Sequence, residues 1–296
     1  MNRRFVAGAC ALLVSAPAYA AVNVVATTAS MGMLARTVGG DRVRVTVLAP
    51  PDRDAHSLQA KPSMILAARR ADLVIAVGAD LEIGWLPAVL QSAANGRILP
   101  GQPGYVEAAA LVPLLEVGET ADRSRGDVHP RGNPHLYLDP QRMVAVARAL
   151  AGRLAALDAP GASQFRARAE AFVSAVAGRV PVWKQRAQGA SGVVLYHKDG
   201  NYLLAFLEVP LLGYIEPLPG VPPTAPQLRD LVQRLKGRKG TIVFTTGQPS
   251  QGPQFLAKEL GWPAAQLPLE PAVEATTEDY LNLIDRWVTA VAGPSS

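Results

Sequence analysis

Residues 140–188 read PQRMVAVARALAGRLAALDAPGASQFRARAEAFVSAVAGRVPVWKQRAQ, and they contain two long helical patterns with no strand between them. In Pro140–Leu157, apolar residues recur every three to four positions, and Asp139 precedes the pattern as an N-cap. The second pattern extends from Ser163 to about Gln188 and is interrupted by Pro181. We therefore predict a boundary here, with the second helix connecting two parts of the chain.

Short apolar runs alternate with helical patterns on both sides of this boundary. The predicted strands are Val22–Thr27, Val43–Leu48 and Leu73–Val77 before it, and Val193–Tyr196, Leu212–Glu216 and Thr241–Thr245 after it. Alternating strands and helices are typical of an α/β lobe. We predict an α/β lobe at 21–160, a connecting helix at 161–188 and a second α/β lobe at 189–296.

The first twenty residues have the pattern of a secretory signal peptide. Arg3 and Arg4 precede a short apolar run, Phe5–Ser15, and Ala18–Ala20 forms a small-x-small cleavage pattern. The apolar run is too short to span a bilayer. We expect an exported protein that begins at Ala21 and resides in the periplasm.

Composition limits the chemistry that the exported chain can perform. Cys10 is the only cysteine and lies inside the predicted leader, so the exported chain has neither a disulfide nor a thiolate ligand. Hydrophobic residues make up 49% of the 296 residues and charged residues 18%, which is typical of a globular protein. The net charge of +5 comes from arginines spread along helices, so nucleic-acid binding is not expected.

The four histidines are the strongest indication of function. His56, His129, His135 and His197 all lie within or beside turn-type residues, at or near the ends of apolar runs and not at core positions. Neutral imidazole is the commonest protein ligand for metals. Because these residues are spread over about 140 positions, we predict a site for a divalent transition metal that the fold assembles.

The surroundings of each histidine suggest its place in that site. His56 follows a strand, where open α/β sheets bind ligands, and His135 is held between Asn133–Pro134 and the following helix. His197 follows the first strand of the second lobe, which puts candidate ligands on both sides of a cleft. His129 lies in a polar loop and is either solvated or an auxiliary residue for metal capture.

A fourth donor should be a carboxylate, because no thiol remains. The candidates are Glu216, Glu270, Glu274, Glu278 and Asp279. Glu278 and Asp279 begin a helix, where the helix dipole alone favours acidic residues. Asp199 could accept a hydrogen bond from an imidazole N–H.

Enzymatic motifs are absent: Gly-x-Ser-x-Gly, a glycine-rich phosphate loop and His-Glu-x-x-His do not occur. One enzymatic alternative stays open, a zinc hydrolase with three histidine ligands and Asp199 or Glu274 as its base.

Four motifs together resemble a known family. They are DAHS (54–57) followed by KPS (61–63), GNPHLYLDP (132–140), VVLYHKD (193–199) and YIEPLPGVPPT (214–224). In this order they are similar to the zinc/manganese-type solute-binding proteins of ABC importers, the ZnuA/TroA-like family.

The resemblance implies two α/β lobes joined by one long rigid helix, with the metal in the cleft between them. His56 and His135 match the two ligands of the first lobe, and His197 matches a third position where histidine goes with zinc and glutamate with manganese. The usual late acidic ligand falls at or near Glu270. A long His-rich loop of some members is missing, with only His129 in its place.

The implied function is high-affinity binding of periplasmic Zn²⁺ by a monomer that delivers it to an ABC permease in the inner membrane. A periplasmic metallochaperone is a further candidate partner. The alternatives are a manganese-directed binding protein and a zinc chaperone or adhesin without a transporter. Three imidazoles and a carboxylate suit tetrahedral Zn²⁺, and by the Irving–Williams order Cu²⁺ and Ni²⁺ could also bind such a site in vitro.

Overall fold

The computed structural model describes residues 21–118, 129–218 and 220–293, and it contains two α/β lobes. The predicted leader lies outside the described residues. In this described part of the chain, no helix is both long enough and apolar enough to cross a membrane.

The first lobe is built on a four-stranded parallel sheet in the order β2-β1-β3-β4. Its elements are β1 (Val22–Ala26), α1 (Ala29–Gly39), β2 (Val43–Val47), α2 (Pro62–Arg70), β3 (Leu73–Ala76), α3 (Leu86–Ala93) and β4 (Tyr105–Glu107). All four residues of β3 are buried, as their continuous apolar sequence requires for a strand covered on both faces.

Two long helices follow, α4 (Pro140–Leu157) and α5 (Ala162–Ala187). The second lobe then repeats the architecture of the first with a parallel sheet in the order β6-β5-β7-β8. Its elements are β5 (Val193–Leu195), α6 (Asn201–Leu207), β6 (Leu211–Tyr214), α7 (Ala225–Leu235), β7 (Thr241–Thr245), α8 (Gln251–Leu260), β8 (Ala264–Leu267) and α9 (Thr277–Ala292).

Helix α5 joins the lobes and is bonded to both. Its 26 residues extend about 39 Å. In its first half, Arg168 Nη1 donates to Gly39 O of the first lobe at 2.9 Å. In its second half, Trp183 Nε1 donates to Asp285 Oδ1 of α9 at 2.6 Å. The predicted architecture of two lobes with one connecting helix is confirmed.

A shared hydrophobic core reinforces this connection. One contiguous cluster of buried side chains includes Val24 and Leu34 of the first lobe, Phe172 of α5, and Leu203 and Trp287 of the second lobe. A wide hinge opening would expose part of that cluster to water. The fold therefore favours limited motion of the two lobes.

Two features of the sequence pattern led to wrong expectations. Pro181 does not interrupt the connecting helix: α5 continues through it to Ala187. The edge strands β4 and β8 were not predicted, because β4 has only three residues and the AAQL sequence of β8 lacks the β-branched residues that mark strands.

Pro181 offers a test of the helix. Because proline cannot donate the helical hydrogen bond, we expect Pro181→Ala to raise the free energy of unfolding by about 2 kcal/mol. Chemical denaturation of the metal-free protein measures the change. Val182→Ala, at a neighbouring exposed position, is the control and should change stability little. A destabilised Pro181→Ala variant would show that the helix requires the proline.

Candidate metal centre

The fold brings all four histidines together between the lobes. His56 Nε2 lies 3.0 Å from His129 Nε2, and His135 Nε2 lies 3.2 Å from His197 Nε2. The ring centroids of His56 and His135 are 5.2 Å apart, which joins the two pairs into one cluster. His197 belongs to the second lobe and the other three to the first, so the cluster spans the cleft.

His56 lies in the segment between β2 and α2, and its neighbours fix its orientation. Its Nδ1 donates to Asp54 Oδ1 at 2.6 Å, and its backbone N–H donates to the same oxygen at 2.9 Å. Trp85 Nε1 donates to Ala55 O at 2.8 Å, which anchors the segment to the buried start of α3. Desolvation alone would raise the pKa of Asp54, but the hydrogen bonds and charge of His56, together with the hydrogen bond from Ser57, outweigh it and lower this pKa to about 2.

His135 is almost fully buried, with 2% of its surface exposed. Its Nδ1 lies 2.8 Å from the Tyr137 hydroxyl, and its backbone N–H donates to Asn133 Oδ1 at 2.9 Å. Burial, together with the neighbouring imidazoles, lowers the pKa of His135 well below its usual value. The ring is therefore neutral at pH 7, which is the form that binds metals.

His197 follows β5 and donates from Nδ1 to Glu216 Oε2 at 2.9 Å. Burial would lower the pKa of His197, but the hydrogen bond to Glu216 and the charge of Asp199 outweigh it and raise this pKa. Since His135 and His197 are both buried, the expectation that no histidine occupies a core-like position was wrong for these two. The sequence motifs predicted that His135 and His197 lie in loops, but they did not predict that the cleft between the lobes buries both side chains.

His129 is part of the cluster and not at its margin. The possible ligand atoms of His56, His129 and His135 all lie within 4.8 Å of one another. Nitrogen ligands of a tetrahedral zinc ion lie about 3.3 Å apart, given a Zn–N distance of about 2.0–2.1 Å. The 3.0 and 3.2 Å spacings of the two pairs are close to that requirement.

The predicted carboxylate donor, Glu270, has one oxygen bonded to the backbone of the first lobe. Glu270 Oε2 accepts from Ser30 N, near the start of α1, at 2.6 Å, and burial of the carboxyl raises the pKa of Glu270 to about 7. Among the described residues, the compact ligand group contains histidines and no carboxylate. Glu270 Oε2 thus connects the two lobes, while Glu270 Oε1 is buried and has no hydrogen-bond partner among the described residues.

The other acidic candidates also have structural partners. Glu274 and Glu278 pair with Arg36 and Arg179. Asp279 accepts from Thr276 N at 2.8 Å in the cap of α9. Asp199 does not contact an imidazole through a hydrogen bond: its Oδ2 accepts from Gln248 Nε2 at 2.9 Å. Asp54 and Glu216 perform the role that the sequence suggested for Asp199.

A family model supports these observations. The ZnuA model, described as "Zinc-uptake complex component A periplasmic", matches residues 24–293. The chain belongs to this family. Its relatives are solute-binding proteins of ABC transporters and not enzymes.

Individual members are distant from this chain. High-affinity zinc uptake system protein ZnuA of Yersinia pestis is 25% identical over 261 residues, which cover 81% of this chain and 80% of that protein. Manganese ABC transporter substrate-binding lipoprotein ScaA of Streptococcus gordonii is 21% identical over 155 residues, which cover 51% and 47%. The solved structure of FpvC from Pseudomonas aeruginosa, in complex with Ni²⁺, is 20% identical, with a TM-score of 0.76 over 92% of this chain and 96% of that one.

Glu216 allows a test of the electrostatics in the metal-free protein. In Glu216→Gln the amide carries no charge, so we expect the effect of burial to dominate and the pKa of His197 to fall below its wild-type value. NMR titration of the His197 ring measures this pKa. In the wild type, the raised pKa of His197 contributes to the free energy of unfolding. This contribution is fully present at pH values below the unfolded-state pKa of about 6.5, and it is lost as the pH rises through the folded-state pKa.

The stability difference between wild type and Glu216→Gln should accordingly be largest near pH 5 and shrink toward about pH 8. Glu278→Gln, which removes an exposed carboxylate paired with Arg179, is the matched control. An unchanged pKa of His197 in Glu216→Gln would contradict the assignment of Glu216 as its charge partner.

Proposed function

We propose that this protein binds Zn²⁺ in the periplasm through the imidazoles of His56, His129, His135 and His197 and delivers it to an ABC permease in the inner membrane. The observation that carries the proposal is the meeting of four imidazoles at the cleft. The Nε2 atoms of His56 and His129 lie 3.0 Å apart within the first lobe, and those of His135 and His197 lie 3.2 Å apart across the cleft. Four nitrogen donors in a buried site suit a tetrahedral ion.

The hydrogen bonds around the rings favour metal binding at Nε2. Because carboxylates only accept protons here, Asp54 and Glu216 hold the Nδ1–H tautomers of His56 and His197, and each Nε2 then carries a lone pair. Such partners orient imidazole ligands and raise their basicity. The two carboxylates also supply negative charge near a divalent cation.

The donor set bears on which metal is carried. Mn²⁺ prefers carboxylate and other oxygen ligands, whereas imidazole suits Zn²⁺, Cu²⁺ and Ni²⁺. Because the compact ligand group in the described residues is made of histidines, we place zinc before manganese. The relatives named for zinc, manganese and nickel leave this choice to experiment.

The remaining alternatives are less well supported. A zinc hydrolase needs an open metal position for water, which a fourth imidazole would occupy. Its suggested bases are also misplaced, since Asp199 is bonded to Gln248 and the Glu274 side chain is 80% exposed beside Arg36. A stand-alone zinc chaperone or adhesin would use the same site and differ only in having no permease. Export depends on the predicted leader, and a loading chaperone remains a further candidate partner.

Alanine variants test the ligand set. We expect His56→Ala, His129→Ala, His135→Ala and His197→Ala each to lower Zn²⁺ affinity at least about 100-fold, because groups outside the ligand set already cost about 10–100-fold. Competition titration with a chromogenic chelator measures the affinity. Glu270→Gln, which keeps an oxygen for Ser30 N, should lower affinity less than about 10-fold.

Two results would change this assignment. Wild-type affinity in the His56, His135 and His197 variants would refute the site. A loss in Glu270→Gln as large as in the histidine variants would restore Glu270 as a ligand and place His129 outside the ligand set.

Metal competition tests the cargo separately. Dialysis of the purified protein against equimolar Zn²⁺ and Mn²⁺ should leave zinc bound, because nitrogen ligands follow the Irving–Williams order. Elemental analysis gives the bound ratio. His197→Glu, which supplies an oxygen donor at one position, is the matched variant and should shift the ratio toward Mn²⁺. Retention of manganese by the wild type would favour the manganese alternative.

A further inference from the structure

Asn133 connects the two loops that carry His135 and His197. Its Oδ1 accepts from the backbone N–H of His135 at 2.9 Å. Its Nδ2 donates to the backbone carbonyl of Lys198, the residue after His197, at 2.9 Å. The first bond lies within the first lobe, and the second crosses the cleft.

The backbone of Asn133 adds a second connection between the lobes. The Tyr202 hydroxyl, on α6 of the second lobe, donates to Asn133 O at 2.6 Å. The same hydroxyl accepts from Leu115 N of the first lobe at 3.0 Å. The Asn133 amide and the Tyr202 hydroxyl thus each connect the two lobes beside the histidine cluster.

Burial gives these bonds their strength and direction. Asn133 is 3% exposed, so an amide that lost its partners would be desolvated without compensation. The orientation of the amide is also defined, because the N–H of His135 needs an acceptor and the carbonyl of Lys198 needs a donor. Among side chains of this size, an amide offers the acceptor and the donor on separate atoms, one for each loop.

The geometry points to Asn133 as a positioning residue for the metal. We infer that its amide sets the separation of His135 and His197, whose Nε2 atoms lie 3.2 Å apart, close to the spacing that a tetrahedral ion requires. This inference rests on the proposed function of the histidine cluster. It adds that coordination geometry depends on a bond between the lobes and not on the ligands alone.

Asn133→Asp isolates the bond that crosses the cleft. Aspartate still accepts from the N–H of His135 but cannot donate to Lys198 O, and its charge repels that carbonyl. We expect a 10- to 100-fold loss of Zn²⁺ affinity, the range typical of residues that orient ligands. The Co²⁺-loaded variant should also lose part of the visible absorption of a tetrahedral site, because the two imidazoles no longer hold that geometry.

Tyr202→Phe is the matched control. It removes the hydroxyl that bonds Asn133 O and Leu115 N but leaves both bonds of the Asn133 amide. Its Co²⁺ spectrum should match the wild type and its Zn²⁺ affinity should fall less than about 10-fold. A purely structural role for Asn133 would instead make both variants lose thermal stability and leave the Co²⁺ spectrum of each unchanged.

The outcomes separate the two levels of inference. If the wild type binds no Zn²⁺, the proposed function fails and this inference fails with it. If the wild type binds Zn²⁺ and Asn133→Asp keeps both its affinity and its Co²⁺ spectrum, only the role of Asn133 is overturned. Should Asn133→Asp not fold, as judged by circular dichroism, Asn133→Ser gives the same two readouts, because its hydroxyl is too short to bond both loops.

Discussion

The site depends on holding imidazole rings close together in a buried cleft without charging them. Protonated rings at nitrogen separations of 3.0 and 3.2 Å would repel one another strongly, and burial increases that penalty. The low pKa of His135 results from this burial and from the neighbouring imidazoles. His197 is the exception, since Glu216 offers its ring a counter-charge. Burial therefore lowers the pKa of His135, whereas Glu216 and the nearby carboxylates outweigh burial and raise the pKa of His197.

The architecture around the cleft supplies the rigidity that this arrangement needs. Three rings come from the first lobe and one from the second, so a change in the lobe orientation would alter the distances between them. Helix α5 is bonded at one half to Gly39 and at the other to Asp285. Glu270 and Asn133 add two further bonds between the lobes. The cleft is thus held at several separated points.

Much of this was predictable from the sequence, and the errors have physical causes. Apolar runs that alternate with helical patterns predicted the two α/β lobes, and two consecutive helical patterns predicted the position of the connecting helix α5. His56, His135 and His197 could be found because turn residues at strand and helix ends mark ligand-bearing loops. The role of Glu270 was harder to predict, because a carboxylate after an apolar run can face either a metal or a helix start. The position of His129 within the histidine cluster depends on tertiary packing that brings its loop to the cleft, and the local sequence does not predict that packing. Edge strands β4 and β8 are defined by their neighbours in the sheets.

The shared hydrophobic core has a consequence for how the molecule can be divided. Its cluster of buried side chains extends from β1 and α1 through α5 to α6 and α9, whereas each lobe also has a smaller buried cluster of its own on another face of its sheet. A fragment that ended before or after α5 would expose a broad hydrophobic surface to solvent and would tend to aggregate. We therefore expect the two lobes and α5 to fold as one cooperative unit, and a division of the chain at α5 would cut through the shared cluster.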